Sequence, residues 1–261
     1  MDHLLMVLVL LWSSGLQAED KHQPTGSQCE STAKADIVLL VCESRNTTSE
    51  DHENIKSFLT QIVNNFNIGP DKVQIGLVQY NGYFPVTEWY LNTPQTKQSL
   101  LEAIANLPQG GGDYDYYYYI GRPLSHIQDD LFQPNKGTRS DSQKILILIT
   151  DGKSQDDVSR PSHHLRDDGI EIYTIGVKNV NEAQLRTIAS DPDEIHIFSV
   201  IDSSFLLDIV ANLTINLCNS ANSSEIDEQQ QGALWSPAAH CRLLVVISRG
   251  RSGHQLLTAA F

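Results

Sequence analysis

Two stretches, 35-ADIVLLV-41 and 144-KILILIT-150, are apolar almost throughout and lack the polar alternation of a half-exposed strand. Short runs of this kind are what a strand needs when both of its faces are covered. KVQIGLVQY (72–80), TEWYL (87–91), EIYTIGV (171–177) and EIHIFSV (194–200) add further strand candidates. Between them the period changes from 2 to 3.6. Ile55, Phe58, Leu59, Ile62, Val63 and Phe66 fall on one helical face, with Glu50, Asp51 and Glu53 near its positive end, and Gly69-Pro70-Asp71 follow as a break. TKQSLLEAIANL (96–107) predicts a second helix, ended by Pro108 and glycines 110–112. Further helices are predicted over 119–131, 158–168, 181–190 and 203–217.

Strands separated by helices of this length imply right-handed crossovers. The fold class is therefore α/β, a doubly wound, mainly parallel six-stranded sheet with helices on both faces. The runs opening at 35 and 144 are the natural centre, and ligands of such sheets sit where the winding reverses, at the carboxyl ends of the strands. Cys42 and Ser44 are thus expected near Asp151, which closes ILILIT.

Composition narrows the class. A formal net charge of −14 makes nucleic acid and anionic membrane surfaces poor partners and basic proteins better ones. Residues 1–18, with an apolar core from Leu4 to Trp12, read as a secretory signal, although no Lys or Arg precedes that core; 19–34 form a polar leader. No later stretch is long and apolar enough for a membrane span. Asn46, Asn212 and Asn222 open N-glycosylation sequons. Cys29 precedes the first strand and Cys218 follows the last predicted helix, a placement that suggests a disulfide staple across the domain; the alternative is two free thiols. Cys241 is left over and offers a disulfide link between chains.

Three segments, ADIVLLV, IGPDKVQIGLVQYNGYFPVTEWYLNT and ILITDGKSQDD with GIEIYTIGVKN downstream, resemble the von Willebrand factor type A domain. The version is that of the fibril-associated collagens of types XII, XIV, XX and XXI, with matrilins next. The likeness spans about residues 29–218 and includes the flanking cysteine pair; the domain proper is assigned to 35–218. It implies a doubly wound fold whose upper face binds extracellular proteins, in many members through a divalent ion. That ion is held by Asp-x-Ser-x-Ser after the first strand, a Thr from a Gly-Gly-Asn-Thr-x-Thr-Gly loop, and an Asp after the fourth strand. Here the first motif reads Cys42-Glu43-Ser44-Arg45-Asn46, so Cys42 replaces the Asp, Ser44 is kept and Asn46 replaces the second Ser. Asp151 is kept, and the loop reads 110-GGGDYDYYYYIG-121, with no Thr. Magnesium and calcium prefer hard oxygen donors, and a thiol is soft and mostly protonated at neutral pH. The expectation is a degenerate site at Ser44, Asn46 and Asp151, without bound magnesium or calcium. No spacing supports zinc on Cys42 and Asp151.

Other motifs carry less. Gly152-Lys153-Ser154 would need a glycine at 147 to form a phosphate-binding loop, and Ile147 is there. No Gly-x-Ser-x-Gly elbow is present. Asp156-Asp157 reads as a helix-start charge pair, and His163-His164 as surface residues. Tyr114, Tyr116, Tyr117, Tyr118 and Tyr119 either cover the altered metal face or form an aromatic rim for protein binding; Tyr114 and Tyr116, flanked by Asp113 and Asp115, are candidates for sulfation, which intact mass checks. Residues 219–261 depart from the family and read as a disordered tail containing a β-prone LLVVIS (243–248), without collagen repeats.

The sequence thus predicts a secreted, non-enzymatic extracellular-matrix module that binds matrix proteins, collagens or proteoglycan-associated proteins among them. The rival readings are an integrin-like domain that needs a divalent cation and a truncated collagen-like isoform without autonomous function.

Overall fold

The computed structural model describes residues 34–43, 47–80, 84–110, 118–178 and 180–234, the last twelve by backbone alone. The elements in chain order are β1 (Ala35–Cys42), α1 (Ser49–Asn65), β2 (Val73–Tyr80), β3 (Pro85–Trp89), α2 (Lys97–Ala105), α3 (Gly121–His126), β4 (Gln143–Thr150), α4 (Ser159–Asp167), β5 (Ile170–Val177), α5 (Glu182–Ile188), α6 (Asp193–His196), β6 (Ile197–Val200) and α7 (Leu206–Leu234). A π-helical turn, Ile127–Leu131, continues α3, and short 3-10 turns lie at Pro134–Lys136 and Ser203–Phe205.

The sheet has six strands in the order β3-β2-β1-β4-β5-β6. All pairings are parallel except β2 with β3. The order reverses between β1 and β4, so the crevice predicted from the two longest apolar runs lies between them. Their register aligns Cys42 with Thr150, which places Asp151 beside the end of β1.

Strand alternation divides the core. Ile37, Leu39, Val41, Ile145, Ile147 and Ile149 face one side with α1, α2 and α7, through Phe58, Leu59, Leu100, Leu213 and Leu217. Val38, Leu40, Cys42, Leu146 and Leu148 face the other, against Leu124 of α3, Leu165 of α4 and Ile188 of α5. Both faces are dry, which is why these strands show no polar alternation. α1 starts a turn and a half before its apolar stripe because Thr48 caps it: its hydroxyl accepts from Asp51 N–H at 3.1 Å, and the Asp51 carboxylate accepts from Thr48 N–H at 2.9 Å.

Two expectations need correction. The stretch 194–200 is a strand only from Ile197; Pro192 precedes a helical turn, α6, that turns His196 inward to a carboxylate. The last helix does not end at 217 but runs to Leu234, so 219–234 are helix and not disordered tail. The stretch NSSEIDEQQQGAL holds no proline and several strong helix formers, which allows continuation. Residues 1–33, the LLVVIS segment and Cys241 lie outside the described residues.

Candidate functional site

Three carboxylates come to the crevice end of the sheet, and each finds a different compensation. Asp151 follows β4 directly. Its Oδ1 accepts the Tyr118 hydroxyl at 3.1 Å, and its Oδ2 lies 3.4 Å from the Thr47 hydroxyl. The Tyr118 oxygen is also 2.8 Å from Thr150 Oγ1. The ring of Tyr118 is fixed from two further directions. Gln155 N–H donates to its backbone carbonyl at 2.8 Å, and its edge lies so close to Gly152 that a Cβ there would stand 2.9 Å from Cε1. Cys42 is 3% exposed; burial first, then the charge of Asp151, holds its thiol well above its ordinary value. Burial, with Cys42 and Asp151 beside it, likewise pushes the Tyr118 phenol up. Both groups are therefore neutral at physiological pH.

Asp51, near the start of α1, opposes burial with an ion pair to Lys178 Nζ at 2.7 Å and hydrogen bonds from Ser203 Oγ at 2.6 Å and from Thr48; together these pull its carboxyl well below the usual range. Lys178, at the end of β5, holds φ at 64°, a left-handed conformation uncommon for a residue with a Cβ. These groups line one wall of a cleft with about 280 Å³ of empty space, its open mouth included; Cys42, Thr47, Thr150 and Asp151 line the other.

Glu43 turns away from this cleft. It is 1% exposed, lies 2.6 Å from His52 Nδ1 and accepts Gly110 N–H at 2.5 Å. His52 Nε2 faces the Leu107 carbonyl at 3.1 Å, an acceptor only, so that nitrogen carries the hydrogen. Burial raises the Glu43 carboxyl despite the pull of His52. One residue of offset on the strand sends Glu43 to the opposite side from Cys42, toward α1.

The fold family implies a divalent ion at this place, and the donors can be tested for it. A hard ion wants several charged or carbonyl oxygens in open geometry. Here the β1 donor is a buried neutral thiol, and the retained carboxylate already accepts hydroxyl hydrogens. Counted back from Gly121, Tyr118 falls on the first Thr of the Thr-x-Thr-Gly loop. Its ring carries the oxygen several ångströms farther than a threonine would. This donor set does not fit a hard divalent cation. Among the described residues, no group of three or more His, Cys, Asp and Glu side chains is placed to hold a metal.

The remaining sequence candidates are placed as follows. Ser44, Asn46, Tyr114, Tyr116, Tyr117 and Cys29 lie outside the described residues. Tyr119 packs partly buried against the core, with Arg122 4.9 Å from its ring centroid. Asn212 is exposed on α7, and the Thr214 hydroxyl of its sequon is buried and accepts from Asn65 at 2.9 Å. Asn222 is partly exposed on the same helix. Cys218 is disulfide-bonded to a partner beyond the described residues, and Cys42 is free. Asp156 does meet a helix start, but that of α3 rather than α4: it accepts from Gly121 N–H at 2.9 Å and Arg122 N–H at 2.8 Å. Gly121 approaches the Asp157 carbonyl so closely that a Cβ would stand 2.0 Å away. No local pattern marks Asp51, Lys178 and Ser203 as cleft residues, since each comes from a different element. Tyr118 could have been found by counting from Gly121.

A family model for the von Willebrand factor type A domain matches residues 36–212. Collagen alpha-1(XII) of Notophthalmus viridescens is 46% identical over 196 residues, 75% of this chain and 21% of that one. Mouse collagen alpha-1(XX) is 39% identical over 217 residues, 83% of this chain and 16% of that one. This chain thus spans about a fifth or less of the length of these relatives. Among solved structures, proximal thread matrix protein 1 of the mussel byssus superposes with a TM-score of 0.66 at 25% identity, covering 71% of this chain and 48% of that one. A second structure of that protein, described as having a zinc occupied MIDAS motif, gives 0.65 at 24% identity, over the same shares of the two chains. Manganese-loaded TRAP protein of Plasmodium vivax gives 0.58 at 16%, covering 71% of this chain and 74% of that one; these last two likenesses bear on the fold alone. With the matched region covering more than half of its residues, the chain belongs to the von Willebrand factor type A domain family.

Proposed function

We propose that this chain is a secreted, non-enzymatic binding module of the extracellular matrix that recognises protein partners through its upper face without a divalent ion. Its collagen relatives support the matrix setting. The observation that carries the metal-independent part is the Tyr118 hydroxyl donating to Asp151, because it engages the retained carboxylate from within the protein. The buried Glu43–His52 pair is sealed from solvent and offers no acid–base chemistry to a substrate. Among the described residues no helix is long and apolar enough to cross a membrane.

A net charge of −14 favours a basic partner surface, whose association rate falls as salt screens the attraction. In surface plasmon resonance against fibrillar collagens and proteoglycan-associated matrix proteins, binding is expected to be equal in chelator and in magnesium, and to slow with rising salt. Binding abolished by chelator would overturn this reading in favour of the cation-dependent adhesion domain.

A further inference from the structure

We infer that Tyr118 is an internal stopper: its phenol group occupies the family's cation site and closes it independently of the loss of the carboxylate at position 42. This rests on the metal-independent reading above and assigns a residue to it. Three observations converge. The hydroxyl, carried by the loop before α3, reaches two consecutive residues at the end of β4, Thr150 Oγ1 at 2.8 Å and Asp151 Oδ1 at 3.1 Å. The ring lies against Gly152, where any side chain would meet it. The backbone that carries the ring and follows it is pinned by Gln155 N–H on the Tyr118 carbonyl and by Ser154 Oγ and Asp156 Oδ1 on Ile120 N–H. An ion at this place needs open coordination positions beside Asp151. The phenol fills that space with a donor, which competes for the same carboxylate oxygen, and with carbon atoms, which cannot ligate. The tyrosine thus does part of an ion's structural work, tying β4 to the neighbouring loop, but without presenting a coordination site to a partner's carboxylate.

The loss of Asp at 42 and the gain of Tyr at 118 are then two separate barriers, which substitution can separate. Calorimetric titration with magnesium and manganese, together with thermal shift, is applied to the whole chain and to folded variants confirmed by circular dichroism. The native chain and Cys42→Asp are expected to bind neither ion, whereas Cys42→Asp/Tyr118→Thr is expected to bind at least roughly tenfold more tightly than Cys42→Asp alone. Tyr118→Ser in the same background serves if the threonine variant does not fold. Cys42→Asp/Tyr118→Phe, which keeps the ring without its hydroxyl, is expected to stay closed. Ion binding by Cys42→Asp equal to that of the double variant would overturn the stopper while leaving the native chain metal-free, as would folded double variants that bind nothing, or a phenylalanine variant that binds as the threonine one does. Binding by the native chain would instead overturn the reading beneath it.

Discussion

Asp36 and Asp151 are carboxylates at opposite ends of the central strand pair, and each is met differently. Asp36 is fully buried at the start of β1, where Arg139 reaches it through Nη2 at 2.7 Å and Nε at 2.9 Å, with Arg139 N–H and the Ser142 hydroxyl completing its shell. The same guanidinium donates to the carbonyls of Pro70, Ala35 and Lys72. A fixed charge thus compensates a fixed charge, and removing one partner strands the other. Arg139→Ala is expected to lower unfolding stability by about 3–5 kcal/mol in urea denaturation, with ion titrations unchanged; a loss within experimental error would show that water solvates Asp36 instead. Nothing in the run ADIVLLV signals this, because Arg139 is distant in sequence and alone in its segment. Asp151 was legible because it ends an apolar strand. The hydroxyl that meets it was legible only by counting back from Gly121, because a count forward from glycines 110–112 crosses an insertion of unequal length.

At the scale of elements, α7 is held to the sheet by apolar contacts and by one polar cluster. Glu171 on β5 accepts from His196 Nε2 at 2.7 Å, Ser220 Oγ at 2.8 Å and the Tyr173 hydroxyl at 3.2 Å. Burial works against both charges here. For His196 it is outweighed by Glu171 and the Pro192 carbonyl, so its pKa lies above the ordinary 6.5. For Glu171 it is outweighed by His196 and Ser220, so its pKa lies below 4.5. The raised histidine contributes stability that is complete below pH 6.5 and lost as pH rises through its folded value. The lowered glutamate contributes above pH 4.5 and loses it as pH falls through its folded value. The cluster therefore stabilises most between these limits. The stability difference between the native chain and His196→Gln should shrink as pH rises above 6.5, and a flat difference would mean that His196 stays neutral throughout. The cluster also explains the misread element. EIHIFSV alternates like a strand, but His196 serves a carboxylate 25 residues earlier in the chain, and local period carries no trace of such a partner. The double-sided strands were legible because burial on both faces leaves no other composition open to them.

At the scale of the whole molecule, the two ends of the domain meet at the lower rim of the sheet. Ser220 reaches Glu171, which pairs with Ile145, and Ile145 pairs with Ile37 near the start of β1. Cys218 thus stands level with the entry of the chain into the fold, a few residues after Cys29. The helix supports the same pairing. From Cys218 to Leu234, α7 extends sixteen residues, or ~24 Å at 1.5 Å per residue. The seven residues from there to Cys241 span at most ~24 Å even when fully extended, so a return to within the ~5.5 Å Cα separation of a disulfide would take most of their reach. Cys29 is the partner this geometry favours, and closing so long a loop would stabilise the fold by roughly 3–5 kcal/mol. Non-reducing peptide mapping of the chain should join the peptides that carry Cys29 and Cys218. Cys29→Ser should lower the denaturation midpoint, and Cys241→Ser should leave it unchanged. A Cys218–Cys241 peptide would reverse the assignment and would require α7 to bend or end before residue 234. The staple and the stopper act at opposite rims of one sheet. If both hold, the lower rim keeps the chain ends of the domain together, while at the upper rim Tyr118 ties its loop to β4 in place of a cation.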